Sequence, residues 1–141
     1  MVPYKRYEEI KVEIACNGGG DNNSGNQNIL AKRVGMETSG SIIYNVTTKV
    51  DHRIASQWLQ WIKEEHIPGI IATGCFTHAT VLRLMEVDET EGLTYAIQYH
   101  AVSKAFYNRY IQNFAGEMRT KATTKWGDAF IAFNSVLEVV N

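Results

Sequence analysis

The sequence predicts an α+β fold: one four-stranded antiparallel sheet with two helices on one face, in the order β-α-β-β-α-β. Three observations carry this. Residues 41–50, 76–87, 93–102 and 129–140 alternate with period two and are rich in β-branched and aromatic residues. Two other stretches repeat their apolar residues at helical spacing, one between the first two strands and one between the last two. The connections carry turn chemistry, Asp88-Glu89-Thr90-Glu91-Gly92 and Trp126-Gly127-Asp128.

Each element follows from its residues. In the first strand Ile42, Tyr44, Val46, Thr48 and Val50 oppose Ile43, Asn45, Thr47 and Lys49. Asp51 is a good N-cap for a helix carrying Ile54, Trp58, Trp61 and Ile62. Pro68 disfavours helical angles at Ile67, so that helix is expected to end near His66. In the second strand Ala79, Val81 and Arg83 oppose His78, Thr80 and Leu82; in the third Tyr95, Ile97 and Tyr99 oppose Ala96, Gln98 and His100. Ser103 is expected to cap a second helix with the stripe Tyr107, Tyr110, Ile111, Phe114 and Met118, running towards Lys125. A fourth strand then sets Phe130, Ala132, Asn134 and Val136 against Ile131, Phe133, Ser135 and Leu137. This order is the ferredoxin-like split βαβ, whose right-handed crossovers put both helices on one face. The other face carries apolar and polar residues together, and a second copy of the chain is the simplest cover for it.

Residues 1–40 do not share the pattern. Residues 7–15 read as a short strand or a helical turn. From Asn17 to Asn28, Gly and Asn are too dense to bury apolar area against the entropy of ordering, which reads as a linker. Met36 stands just before the first strand. Residues 1–40 are therefore expected to be a flexible N-terminal extension or a misassigned start, and 41–141 the folded domain.

Composition excludes several classes. A formal net charge of -1, with scattered Lys and Arg, argues against a nucleic-acid partner. No apolar run approaches the ~20 residues that span a membrane. The first fifteen residues interleave charge with apolar residues, unlike a signal peptide. Cys16 and Cys75 form no CxxC or zinc spacing, which reads as two thiols in a reducing, cytoplasmic setting. His52, His66, His78 and His100 fall in no HxH or HExxH pattern, so no metal is expected.

At Ile42-Ile43-Tyr44-Asn45-Val46-Thr47, Trp58, Trp61, His66-Ile67-Pro68, Thr73-Gly74, Phe76 and Arg83-Leu84, the chain resembles the domain-of-unknown-function 4286 family of short bacterial proteins. The resemblance covers about residues 41–141. It implies a dimeric α/β-barrel, in which two ferredoxin-like sheets close face to face. That superfamily holds cofactor-free monooxygenases, haem-using enzymes, isomerases and plain ligand binders. The resemblance therefore implies a fold and a homodimer but no single activity.

His66 is the leading candidate for chemistry. At a helix C-terminus the dipole favours a protonated imidazole, which could serve as acid or base or ligate haem. The plainer alternative is a histidine capping the last carbonyls. Trp61 could wall an aromatic ligand, whereas Trp58 and Trp126 read as core or interface. Tyr44, Asn45, Arg83, Tyr95, Gln98, Tyr99, His100 and Asn134 are polar strand residues that could orient a small molecule, or line a wet interface; Tyr44, Asn45, Arg83, Gln98 and His100 are the ligand candidates among them. The expectation is a homodimer that binds a small apolar or aromatic molecule between its sheets without a cofactor. The alternatives are a cofactor-independent enzyme using His66, and a ligand-free interaction module.

Overall fold

The computed structural model describes residues 7–12, as backbone strand, and residues 41–140. The predicted linker and the alternative start at Met36 lie outside the described residues. The elements are β1 (Tyr7–Val12), β2 (Ile42–Val50), α1 (Ala55–Trp61), a π-helical turn (Ile62–His66), α2 (Ile67–Ile71), β3 (His78–Leu84), β4 (Leu93–Ala101), α3 (Lys104–Asn113), α4 (Ala115–Trp126) and β5 (Phe130–Glu138). The fold is α+β, with one sheet ordered β1-β3-β4-β2-β5 and every neighbouring pair antiparallel. Four of its strands are those expected from residues 41–141. The fifth, β1, joins the outer edge of β3 with Ile10 opposite Val81, so the sheet is wider than the four strands expected.

The faces that pattern alone left open are now assigned. Tyr44, Val46 and Thr48 share a face with Ile97, Tyr99, Val81 and Asn134; the helices cover it over β2, β3 and β4, while β5 stays exposed. Asn45, Gln98, His100 and Ile131 stand on the opposite face. The core is aromatic. The Tyr44 ring lies 6.1 Å from Phe76, 6.0 Å from Tyr99 and 5.7 Å from Tyr110, and Trp58 packs 5.5 Å from Tyr95. Val50, Ile67 and Val81 are fully buried beneath the helices.

The first helical region does not stop at His66. Asp51 Oδ1 accepts the Arg53 N–H at 2.8 Å and so begins a helical turn one step before α1. The chain then widens by one residue: the Ile67 N–H donates to the Ile62 carbonyl, an i→i+5 bond, before α-helix resumes through Ile71. Pro68 is tolerated because it falls in the first turn of α2, where its missing N–H breaks no ladder. The physical reason lies in the apolar spacing. Ala55, Trp58 and Ile62 form one stripe and Ile67, Ile70 and Ile71 another, with a gap of five between them. A regular α-helix aligns neighbours three or four apart, so only a wider turn buries both stripes on one sheet.

This predicts that deleting the exposed Glu64 is tolerated. Ile62 and Ile67 then become i,i+4 neighbours in a regular helix. Stability is expected to change by no more than about 1 kcal/mol, whereas deleting Gln57 rotates Trp58 out of phase with Ala55 and unfolds the chain. Circular dichroism melts of the two variants check this.

Three further boundaries differ from expectation. The second helix is interrupted at Phe114, whose angles (φ −128°, ψ −29°) lie outside the α-helical region. The preceding Asn113 donates its side-chain N–H to the Arg109 carbonyl at 3.0 Å, a competitor for helix bonding. The break turns both Tyr110 and Met118 inward. β3 is shorter than residues 76–87, because Glu86 adopts a left-handed angle (φ 58°) that ends the strand. The first helical residue after Ser103 is not capped by its hydroxyl among the described residues.

Candidate functional site

Between β2, β5 and the helices lies a cavity of about 260 Å³. Its floor is Tyr44, Val46 and Thr48 from β2 with Ile97 and Tyr99 from β4; its roof is Trp58, Trp61, His66, Tyr110 and Met118. Phe130, Ala132 and Asn134 of β5 line one side, which is open to solvent between the exposed Ala132 and Asn134 and the exposed Arg119 of α4. Six of the lining side chains are Tyr, Trp or Phe, and Thr48, His66, Arg119, Thr123 and Asn134 add polar groups, a make-up that suits a small molecule. For scale, an apolar hole of about 150 Å³ accepts benzene.

The π-helical turn sets the roof. Trp61 and His66 are five apart and stack with ring centres 4.5 Å apart, and Trp126 meets Trp61 edge-on at 5.8 Å. On the outer side, Trp61, His66 and Met118 also line a second, more open hollow of about 610 Å³ with Glu65, Lys121 and Lys125. The stacked Trp61–His66 pair is thus the partition between the inner cavity and the surface.

His66 differs from expectation in its charge. Burial pushes its pKa down to about 4, and the nearby Lys121 ammonium adds to the effect. The helix does not end there, so no C-terminal dipole supports the imidazolium. At neutral pH His66 is an uncharged ring, able to accept a proton. The folded pKa lies below the unfolded value of 6.5, so the neutral ring supports the fold fully above that pH. The support is lost as the pH falls from there through about 4. His66→Gln is expected to remove on the order of 2 kcal/mol of the stability difference between pH 7 and pH 4. Urea titrations of both proteins at the two pH values check it.

Tyr44 is held between two effects. Burial raises its pKa, while the Arg119 guanidinium and the Asn134 amide against its hydroxyl pull the other way. Burial also raises Tyr99 and Tyr110, so all three remain phenols, available as hydrogen-bond donors.

The residues singled out from the sequence divide into two groups. His66, Trp61 and Tyr44 meet at the cavity. Asn45, Gln98 and His100 lie on the opposite face of the sheet. There Asn45 donates to Thr47 Oγ1 at 3.0 Å, and the His100 ring stacks on His78 at 4.1 Å. Arg83 is on the cavity's side of the sheet but turns to the β3–β4 loop, where it pairs with Glu89 at 3.0 Å. The sequence pattern gives Arg119 no role and Tyr110 only a place on a helical stripe, whereas Tyr99 and Asn134 are among the polar strand residues that could orient a ligand. The signal was present for Tyr110, on the helical stripe; Arg119 beside Met118 looks from the sequence like an ordinary solvent-facing cation. Among the described residues no group of three His, Cys, Asp or Glu side chains could hold a metal ion, and no helix is long and apolar enough to cross a membrane.

These features define a small α+β protein with an aromatic-walled cavity between one sheet face and its helices. The chain belongs to the family described as Domain of unknown function (DUF4286), whose model matches residues 41–140. No curated protein and no solved structure matches it.

Proposed function

We propose that this protein is a homodimer that binds a small aromatic or apolar molecule, with Trp61, His66 and Tyr44 contacting the ligand in each protomer's cavity. The observation that carries the reading is the cavity itself: about 260 Å³, bounded by six Tyr, Trp and Phe side chains with polar groups beside them. The expected place between two sheets is replaced in this reading by a place between sheet and helices. We read the fold as ferredoxin-like, because β5-β2-β4-β3 follows the strand order of a split βαβ, with β1 added at one edge.

The dimer reading rests on β5. Ile131, Phe133 and Leu137 are 67%, 61% and 43% exposed on the face away from the helices. β5 is also an edge strand without Pro or Lys, the kind of edge that pairs or is covered. A face-to-face copy buries those side chains, as in a dimeric barrel. The buried Cys75 thiol is in keeping with a reducing, cytoplasmic setting.

A second reading is an enzyme that needs no cofactor. It is favoured by one observation: a neutral, proton-accepting His66 held in the cavity roof by a π-helical turn, a feature frequent at functional sites. Native mass spectrometry of the full chain, before and after denaturation, tests the main proposal. A dimer that releases a small aromatic compound on denaturation is the expected result. A bare monomer overturns it.

A further inference from the structure

The cavity's charge is one-sided. Among its lining residues Arg119 is the one permanently charged group, and no Asp or Glu is among them. Arg119 takes part in none of the ion pairs among the described residues. Of the other described arginines, Arg53 and Arg83 are paired with Asp51 and Glu89, and Arg109, outside the cavity, is in none of these ion pairs. Beyond the roof Lys121 lies close enough to act on His66, and it is paired there with Glu117 at 3.4 Å. A guanidinium has five N–H donors in a planar fork that suits a carboxylate. The Tyr44 hydroxyl stands against the same guanidinium, and the Asn134 amide meets that hydroxyl from β5, so further polar groups converge there. Behind them the cavity is ring-walled, by Tyr44, Trp58, Trp61, Tyr99, Tyr110 and Phe130.

We infer that the ligand is an aromatic monocarboxylate of one or two rings, its ring between Trp58, Trp61 and Tyr99 and its carboxylate on Arg119, Tyr44 and Asn134. The inference rests on the cavity-binding reading above and gives it a chemical class. The apolar walls explain affinity for the ring; the unpaired cation explains why the acid is preferred to its neutral analogue. A dianion or a phosphate ester is disfavoured, because a single guanidinium at the rim leaves the second charge facing aromatic walls. The neutral His66 ring adds a hydrogen bond and no charge.

The test is a pair of probes of one shape, cinnamate and cinnamamide, titrated into the full-length protein near neutral pH. Binding is followed by the fluorescence of Trp58 and Trp61 and by calorimetry. Cinnamate is expected to bind roughly tenfold or more tightly than cinnamamide, as for a charge-assisted pair. Arg119→Gln is expected to erase that preference by weakening cinnamate roughly tenfold and cinnamamide much less, and Arg119→Lys to retain part of it. Arg119 is exposed at the cavity rim, so both variants keep the core intact; equal thermal melts confirm it. Equal binding of the two probes overturns the carboxylate inference and leaves the cavity reading standing. A preference for cinnamate that survives Arg119→Gln overturns the role of Arg119. No binding of either probe overturns both the inference and the reading it rests on.

Discussion

Replacing Trp58 with alanine is expected to lower the unfolding free energy by about 3–5 kcal/mol. Trp58 is 2% exposed, packs on Tyr95 at 5.5 Å, and forms part of the cavity roof. Its removal joins the space of the indole to a hole that already exists, so the site cannot collapse to recover the lost contacts. Domains of this size have roughly 5–15 kcal/mol in total, so the loss is a large share. The transition midpoint in urea should fall with little change in slope, and the melting temperature should drop by about 10 °C. Trp58→Phe should cost less, because a ring still faces Tyr95. A loss below about 1 kcal/mol for Trp58→Ala would show that the indole does not hold the core.

The second large effect is expected at Gly92, the residue that leads into β4. A Cβ placed there would stand 2.3 Å from the Val50 carbonyl oxygen and 3.0 Å from its carbon. Val50 cannot retreat. It is fully buried, and in the sheet it is opposite Leu93 on one side and Phe130 on the other. Gly92→Ala is therefore expected to cost about 3 kcal/mol through a backbone clash that no rotamer relieves. Gly116 supplies the control. Nothing lies within 4 Å of a Cβ there, and it sits inside α4. Gly116→Ala is expected to stabilise by about 0.5–1 kcal/mol, because alanine loses less backbone entropy in a helix. Parallel chemical denaturation of the two variants gives opposite signs if this account holds.

The legible parts of the fold were those written in local periodicity. Alternation in residues 41–50 and 93–102 corresponds to β2 and β4, because a strand with one buried face must repeat every two residues. The break at Gly127 was legible for a similar reason: it takes a left-handed angle (φ 60°) where α4 ends, and its N–H closes on the Thr123 carbonyl at 2.8 Å. The continuation past Pro68 runs against the local restriction that proline places on Ile67. The five-residue gap between Ile62 and Ile67 is the sequence feature that indicates a wider turn. The charge of His66 differs from expectation for the same reason, since a helix that continues offers no terminal dipole.

What the sequence by itself determined is therefore the class, the four antiparallel strands within residues 41–140, and the family to which those residues belong. Each rests on residues near one another in the chain. The tertiary structure alone decided which face of the sheet meets the helices, and hence that Tyr44 lines the cavity while Asn45 stands behind it. A one-residue step along a strand reverses the side a residue faces, and either face of these strands was apolar enough to be buried. It also decided that Arg119, 75 residues after Tyr44 in the chain (119 − 44), stands against that hydroxyl. Contacts between distant elements depend on how the helices cross the sheet, and no periodicity encodes that.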